Sequence, residues 1–414
     1  MNPVKQREII EAFASDCETG DFSQIGRTWS HFFYDLQGAR GVFVVGDPKY
    51  DRPLLPTDAS FETKCSLVGL LKSRQIGLIQ DARSTRPFNY AGHIFADTNF
   101  VSYCNTVYSD KSLGANADAF YAAGDYLMTK RDRLDPICYL IENFERRHHP
   151  QVKNSIKSFT AFKFADTEVF RNDRKFRPTI SEDKLDEMAT GLLASLETPD
   201  FKIIYDTMKL SYLSSRVLLT KIAAIELSLG NGKSAKQKLL TLLEYCHDEI
   251  AMLPQTEMLA AWRFYELKSQ EPFFKMIQRN ASDLLGSIHS MSWDLAHWRS
   301  IMTVVTTESH LGISAPFPIP YFLTFDQGFA SLLKQLQLKG IIFLASGIRY
   351  IVVPDNQNLQ SFSDVLEAAE HLLTPAAVAN RQQRRPAHDA LAQHFERLVQ
   401  SASQELTALI GKNN

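Results

Sequence analysis

Two stretches of this chain share one local design: a short apolar run stops on an aspartate and passes at once into a helical pattern. The first is His93-Ile94-Phe95-Ala96-Asp97, continued by Thr98-Asn99-Phe100-Val101-Ser102-Tyr103. The second is Tyr321-Phe322-Leu323-Thr324-Phe325-Asp326, continued by Gln327-Gly328 and another helical pattern. Short runs of this β-branched and aromatic texture read as buried strands, and strand-then-helix order points to the α/β class. In an open α/β sheet, ligands sit beyond the carboxyl ends of the strands, which is where Asp97 and Asp326 fall. Their carboxylates converge only if the two strands lie side by side and parallel, as helical connections between them favour.

The chain has 414 residues, enough for two or three domains or for one core with large additions. A net charge of −2 excludes a generally basic nucleic-acid binder, although attraction to phosphate needs only a local basic rim. The five cysteines are scattered without a Cys-x-x-Cys pair, so neither a disulfide framework nor a zinc site is indicated. No apolar run approaches the roughly 20 residues of a membrane span, and the N-terminus lacks an apolar signal core. A cytoplasmic protein that meets no membrane is expected.

Around the two aspartates, the chain divides into a lead-in of residues 1–90, a first core segment 91–149, a helical stretch 150–287, a second core segment 288–360 and a helical tail 361–414. The lead-in predicts helices at 4–16, Trp29–Leu36 and Phe61–Leu71, with strands at Gly41–Gly46 and Ile76–Ile79. In the first core segment, Asp135 is placed to cap a helix beginning at Pro136. Ile137, Leu140, Ile141 and Phe144 give that helix a buried face, and Glu142 projects about 150° away from it. Glu142 is then either solvated or looks into a cleft on the second face, with Glu145 nearer the apolar edge.

Residues 150–287 turn polar and helical, with helices at Leu210–Leu227, Lys238–Ile250 and Glu257–Phe264 and a break at Gly230-Asn231-Gly232. Lys153, Lys157, Lys163, Arg171, Arg174, Lys175 and Arg177 make its start basic: a solvated face or an RNA-facing rim. Ser290 is available to cap a helix carrying Asp294 in its first turn, where the helix dipole favours a carboxylate. Strands are expected at Gly340–Leu344 and Ile348–Val353.

Three or four gathered carboxylates repel one another, by about 4 kcal/mol per pair at 4 Å and an effective dielectric of 20. They need protons or a cation, and hard oxygen ligands suit Mg²⁺. Paired ions about 3.5–4 Å apart can activate water and steady a leaving oxygen in phosphodiester cleavage. The run Phe95-Ala96-Asp97-Thr98-Asn99 resembles the opening of PIN-domain ribonucleases, and Leu323-Thr324-Phe325-Asp326 is similar to that family's later strand ending in Thr-x-Asp. Asp135-Pro136 followed by Glu142 resembles the helix that supplies the second acid, and Asp294-Leu295 with His297 resembles the helix that supplies the third.

The resemblance implies a PIN-like three-layer α/β fold with a central parallel sheet, an all-helical insertion, and N- and C-terminal additions. It implies a metal-dependent endoribonuclease in which Asp97, Glu142, Asp294 and Asp326 bind Mg²⁺ or Mn²⁺, while Thr98, Asn99, Thr324 and His297 orient them. The partner would be RNA, with DNA possible and a protein regulator or a second copy of the chain conceivable; toxin, defence and processing roles all fit. The alternatives are a non-catalytic PIN-like scaffold that binds RNA or protein, and a DNA-acting nuclease of a related fold.

Other pairs are weaker. Cys246-His247-Asp248 lacks further metal ligands, His148-His149 reads as a helix end, and Glu308-Ser309-His310 has no Gly-x-Ser-x-Gly elbow. There is no phosphate-binding glycine loop.

Overall fold

The computed structural model describes residues 3–411 apart from 20, 33, 37–38, 46, 48, 50–57, 74, 81–89, 279–280, 309–316, 344–349, 354–363 and 366. Ser309 and His310 therefore lie outside the described residues. Two compact units divide the chain: residues 1–205 with 301–355, and residues 206–300 with 356–414.

The first unit is mixed α/β. Its strands are β1 Arg40–Val44, β2 Asp58–Phe61, β3 Cys65–Gly69, β4 Ile76–Gln80, β5 Tyr90–Ala96, β6 Leu134–Asp135, β7 Phe317–Thr324, β8 Gly340–Phe343 and β9 Tyr350–Val353. They form two sheets, ordered β4-β1-β8-β9 and β2-β3-β7-β5-β6. The first sheet is antiparallel throughout. Beside it run α1 Pro3–Thr19 and α2 Phe22–His31. Ile9, Phe13 and Cys17 recur every four residues on α1 and are buried. Phe13 stacks on Phe43 of β1 at 4.9 Å between centroids, and Trp29 of α2 meets the same ring edge-on.

The second sheet positions the site. β5 pairs in parallel with β7 on one side and with β6 on the other. The chain leaves β5 through α3 Thr98–Tyr108 and α4 Ala117–Leu127 before returning as β6, because a parallel neighbour requires a crossover. On its other side, β7 pairs antiparallel with β3, and β3 with β2. The sheet is therefore mixed, not parallel throughout.

The difference traces to residues 61–71, where sequence periodicity predicts a helix and the structure places a hairpin. Cys65–Gly69 are all buried, and a short apolar run has no period that separates strand from helix. The turn between β2 and β3 takes Glu62 and Thr63 to φ of 48° and 56°. Hairpin turns of that kind normally use Asn-Gly or Asp-Gly.

After β6 come α5 Ile137–Glu142, α6 Pro150–Lys163, α7 Thr167–Asp173 and α8 Glu182–Ser195. Phe100 of α3, Phe120 of α4 and Phe162 of α6 join Phe170 and Phe176 in one aromatic cluster. Rings of this size each contribute about 1.5–3 kcal/mol when fully buried. That burial makes α6–α8 part of the sheet-bearing unit, so the stretch 150–287 divides between the two units.

The second unit is helical. It contains most of α9 Pro199–Leu229, then α10 Ala235–Tyr245, α11 Gln255–Leu267, the larger part of α12 Leu284–Glu308, and the tail helices Pro375–Arg384 and Leu391–Gly411. Gly230, at φ of 53°, ends α9, and Ser234 with Gln237 forms a capping box that starts α10. His247 takes Arg381 at 2.9 Å and Asp248 takes Arg384 at 3.5 Å, which gives this His-Asp pair a structural role in tying down the tail. Among the described residues, no helix is long and apolar enough to cross a membrane.

Candidate functional site

All three parallel strands run into an aspartate just before the next helix: Asp97 and Asp326 are N-caps, and Asp135 stands one residue ahead of the Pro136 cap. Oδ1 of Asp97 accepts from Phe100 N at 2.7 Å, Oδ1 of Asp135 from Ile137 N at 2.8 Å, and Oδ1 of Asp326 from Phe329 N at 2.7 Å. A cap of this kind is worth about 1 kcal/mol, so helix initiation alone accounts for one oxygen of Asp97 and of Asp326, and a tight local turn accounts for one of Asp135. The second oxygens differ, and the difference separates a site from helix starts alone.

Oδ2 of Asp97 accepts from Phe325 N at 2.9 Å, so the end of β7 is tied to the end of β5. Asp97 is only 5 % exposed. Burial pushes its carboxyl up to about 6, against the lowering effect of the Phe100 and Phe325 N–H groups and the Thr324 and Asn99 side chains. Glu142, the last residue of α5, is half-buried and receives the Thr98 hydroxyl at 2.5 Å. Burial raises its carboxyl, the Thr98 hydrogen bond lowers it, and the nearby Asp97 charge raises it again. Asp97 and Glu142 thus form an electrostatically coupled pair that holds protons more tightly than free acids do. The short α5 explains the placement of Glu142: Cys138, Tyr139, Leu140 and Ile141 are all buried, so the helix has no broad solvent face. Glu145 instead receives the Tyr205 hydroxyl at 2.6 Å.

Asp326 stands at the end of the neighbouring strand and is exposed. Its N–H donates to Thr324 Oγ1 at 3.0 Å, and Thr324 also serves Asp97. Asp294 and His297 belong to the second unit. Asp294 is half-buried, and His297 is buried with its ring stacked on Trp293 at 5.7 Å. α12 begins at Leu284, where Asp283 Oδ1 accepts from Gly286 N at 2.8 Å. Asp294 is therefore mid-helix, and the first-turn dipole does not account for it.

The third strand-end acid, Asp135, gives no sign in the sequence that it belongs to this set. β6 has only two residues, so no apolar run announces it, and Asp135 reads as a cap alone. Its Oδ2 lies 3.1 Å from His93 Nε2 on β5. The basic run at the start of the helical stretch is largely matched by acids. Lys153 and Lys157 face Asp186, Lys157 also meets Glu182, Arg174 meets Asp125, and Lys175 meets Asp110. Four of the seven basic residues thus meet an acid within the protein.

Among the described residues, no group of three or more His, Cys, Asp or Glu gathers as a ready metal cage. Burial raises the proton affinity of both the Asp97 and the Glu142 carboxyl, and the Asp97 charge adds to the effect at Glu142. This gives a direct expectation. Thr98→Val removes the donor that lowers the Glu142 carboxyl, so the pH midpoint for Mn²⁺ binding, followed by calorimetry, should move upward. An unchanged midpoint would detach Glu142 from cation binding.

No family model, no curated protein and no solved structure matches this chain.

Proposed function

We propose that the carboxyl ends of β6, β5 and β7 carry the catalytic centre of a PIN-like, Mg²⁺- or Mn²⁺-dependent nuclease acting on RNA. One observation carries the reading. Asp97 is buried at the end of a parallel strand and Glu142, half-buried at the end of α5, lies close enough to feel its charge, both with raised proton affinity, and the neighbouring strand brings Asp326 to the same end of the sheet. An enzyme has reason to keep two desolvated acids together; a cap needs one.

In this reading Asp97, Glu142 and Asp326 hold the cation, and Asp294 with His297 enters from the sequence resemblance alone. The bound cation would polarise the phosphodiester and lower the pKa of a water. The protein does the rest. The Phe100 and Phe325 N–H groups fix the plane of the Asp97 carboxylate, Thr98 orients Glu142, and Thr324 couples the ends of β5 and β7. Such partners hold a site within the tolerance that catalysis demands.

The test is cleavage of single-stranded RNA and DNA by the full chain with Mg²⁺, with Mn²⁺ and with EDTA. Metal-dependent RNA cleavage is expected; cleavage of DNA alone would move the substrate, and equal activity in EDTA would sink the metal chemistry. The second reading, a non-catalytic scaffold for RNA or protein, has one observation in its favour. Both oxygens of Asp97 already accept backbone N–H groups. RNA binding without cleavage under any of these metals would select it.

A further inference from the structure

Beside the acid pair stands a polar group that the metal reading does not use. Tyr103, on α3, sets its ring edge-on against Phe325 with centroids 4.8 Å apart. Phe325 is the residue whose N–H holds Asp97. The phenol is half-buried, and burial together with the Asp97 charge raises its pKa. At neutral pH it is a fully protonated O–H.

Asn116 Nδ2 donates to the phenol oxygen at 2.8 Å. An oxygen that accepts from Asn116 keeps its own hydrogen for another acceptor, and no acceptor for it is found among the described residues. The rim on this side also carries a cation. Lys64 Nζ donates to the carbonyl of Ala115, the residue next to Asn116. The turn that delivers Lys64 holds Glu62 and Thr63 in the left-handed region. Backbone strain of this kind concentrates where geometry is needed.

We propose that Tyr103 is a substrate-contacting residue of the acidic site, donating its phenolic hydrogen to a non-bridging oxygen of a nucleic-acid phosphate, with Lys64 supplying positive charge beside it. A phosphate oxygen is the acceptor that matches this rim: it is anionic, it accepts from O–H and from ammonium, and it lies next to the bond the acid pair would cut. The inference rests on the nuclease reading.

Tyr103→Phe removes the O–H and keeps the ring on Phe325. With the full chain, binding of a fluorescein-labelled oligouridylate is read by anisotropy in Ca²⁺, and cleavage of the same oligonucleotide is read in Mn²⁺. The dissociation constant and KM should each rise about tenfold, while kcat, Mn²⁺ affinity and melting temperature stay near wild type. Lys64→Gln should weaken binding and flatten its dependence on salt. A folded Tyr103→Phe protein with unchanged binding and KM overturns the contact, and wild-type cleavage in the same experiment leaves the nuclease reading standing. Wild-type binding without cleavage removes the nuclease reading, and weaker binding by Tyr103→Phe then still upholds the contact. A wild type that neither binds nor cleaves overturns both.

Discussion

Asp97→Asn should leave a folded protein whose Mg²⁺- or Mn²⁺-dependent cleavage of single-stranded RNA falls by about a thousandfold. The size follows from the role proposed for the residue. A cation that polarises a phosphoryl oxygen supplies several kcal/mol of charge stabilisation, and losing about 4 kcal/mol of it is about a thousandfold in rate. Asparagine keeps the shape of the side chain and one acceptor oxygen, so loss of the helix cap is not the cause. The measurement is single-turnover cleavage with saturating Mn²⁺ beside a calorimetric Mn²⁺ titration. Activity within about tenfold of wild type would remove Asp97 from the centre.

The same substitution separates catalysis from stability through the sign of its pH dependence. Asp97 has its carboxyl raised from 3.8 to about 6 by burial. An acid with a raised folded pKa binds more protons folded than unfolded across that window, so its contribution to stability is lost as pH rises from about 4 to about 6. The difference corresponds to about 3 kcal/mol for a group this buried. An asparagine in its place would escape that cost but give up one of two carboxylate acceptors, worth about 1–2 kcal/mol. Without divalent metal, Asp97→Asn should melt higher than wild type at pH 8, and the advantage should vanish by pH 4. A variant less stable at pH 8 would make Asp97 a structural cap first. Saturating Mn²⁺ should then raise the wild-type melting temperature and leave the variant unmoved.

How much of this was legible in the sequence depends on how local each signal is. β5 and β7 could be read because an apolar run, an aspartate and a helix follow one another within a dozen residues, and their parallel pairing follows from the helical crossover. β6 could not be read, since a two-residue strand leaves no pattern and Asp135 shows only its cap. The β2–β3 hairpin escaped because its turn uses Glu62 and Thr63, where a reader expects Gly or Asn; with it went the antiparallel half of the sheet. The start of α12 lies earlier than the cap offered by Ser290 suggests. Asp283 satisfies the first N–H groups and the helix runs unbroken through Ser290. Tertiary contacts were the least visible of all: nothing local predicts that Thr98 serves Glu142 or that Phe325 serves Asp97.

Arg299→Met should destabilise the helical unit by about 3–5 kcal/mol, the largest stability effect expected in this chain. Glu257, on α11, is completely buried and pairs with the Arg299 guanidinium of α12. Ser215 of α9 donates to Glu257 Oε1 at 2.9 Å, and Arg299 Nη1 donates to Ser214 Oγ at 2.7 Å. Three helices therefore meet on one carboxylate. Removing the arginine leaves that charge desolvated with a single hydroxyl for company, which is the costly case for a buried pair. Replacing both partners, in Glu257→Leu with Arg299→Met, should recover most of the loss, because apolar groups of similar volume need no compensation. Three of the four tryptophans, Trp262, Trp293 and Trp298, lie in this unit, so urea unfolding followed by tryptophan fluorescence, with Trp29 of the other unit replaced by Phe in every variant, reports it. A loss below about 1 kcal/mol in Arg299→Met would show that water reaches Glu257 and that the three helices are held by packing alone.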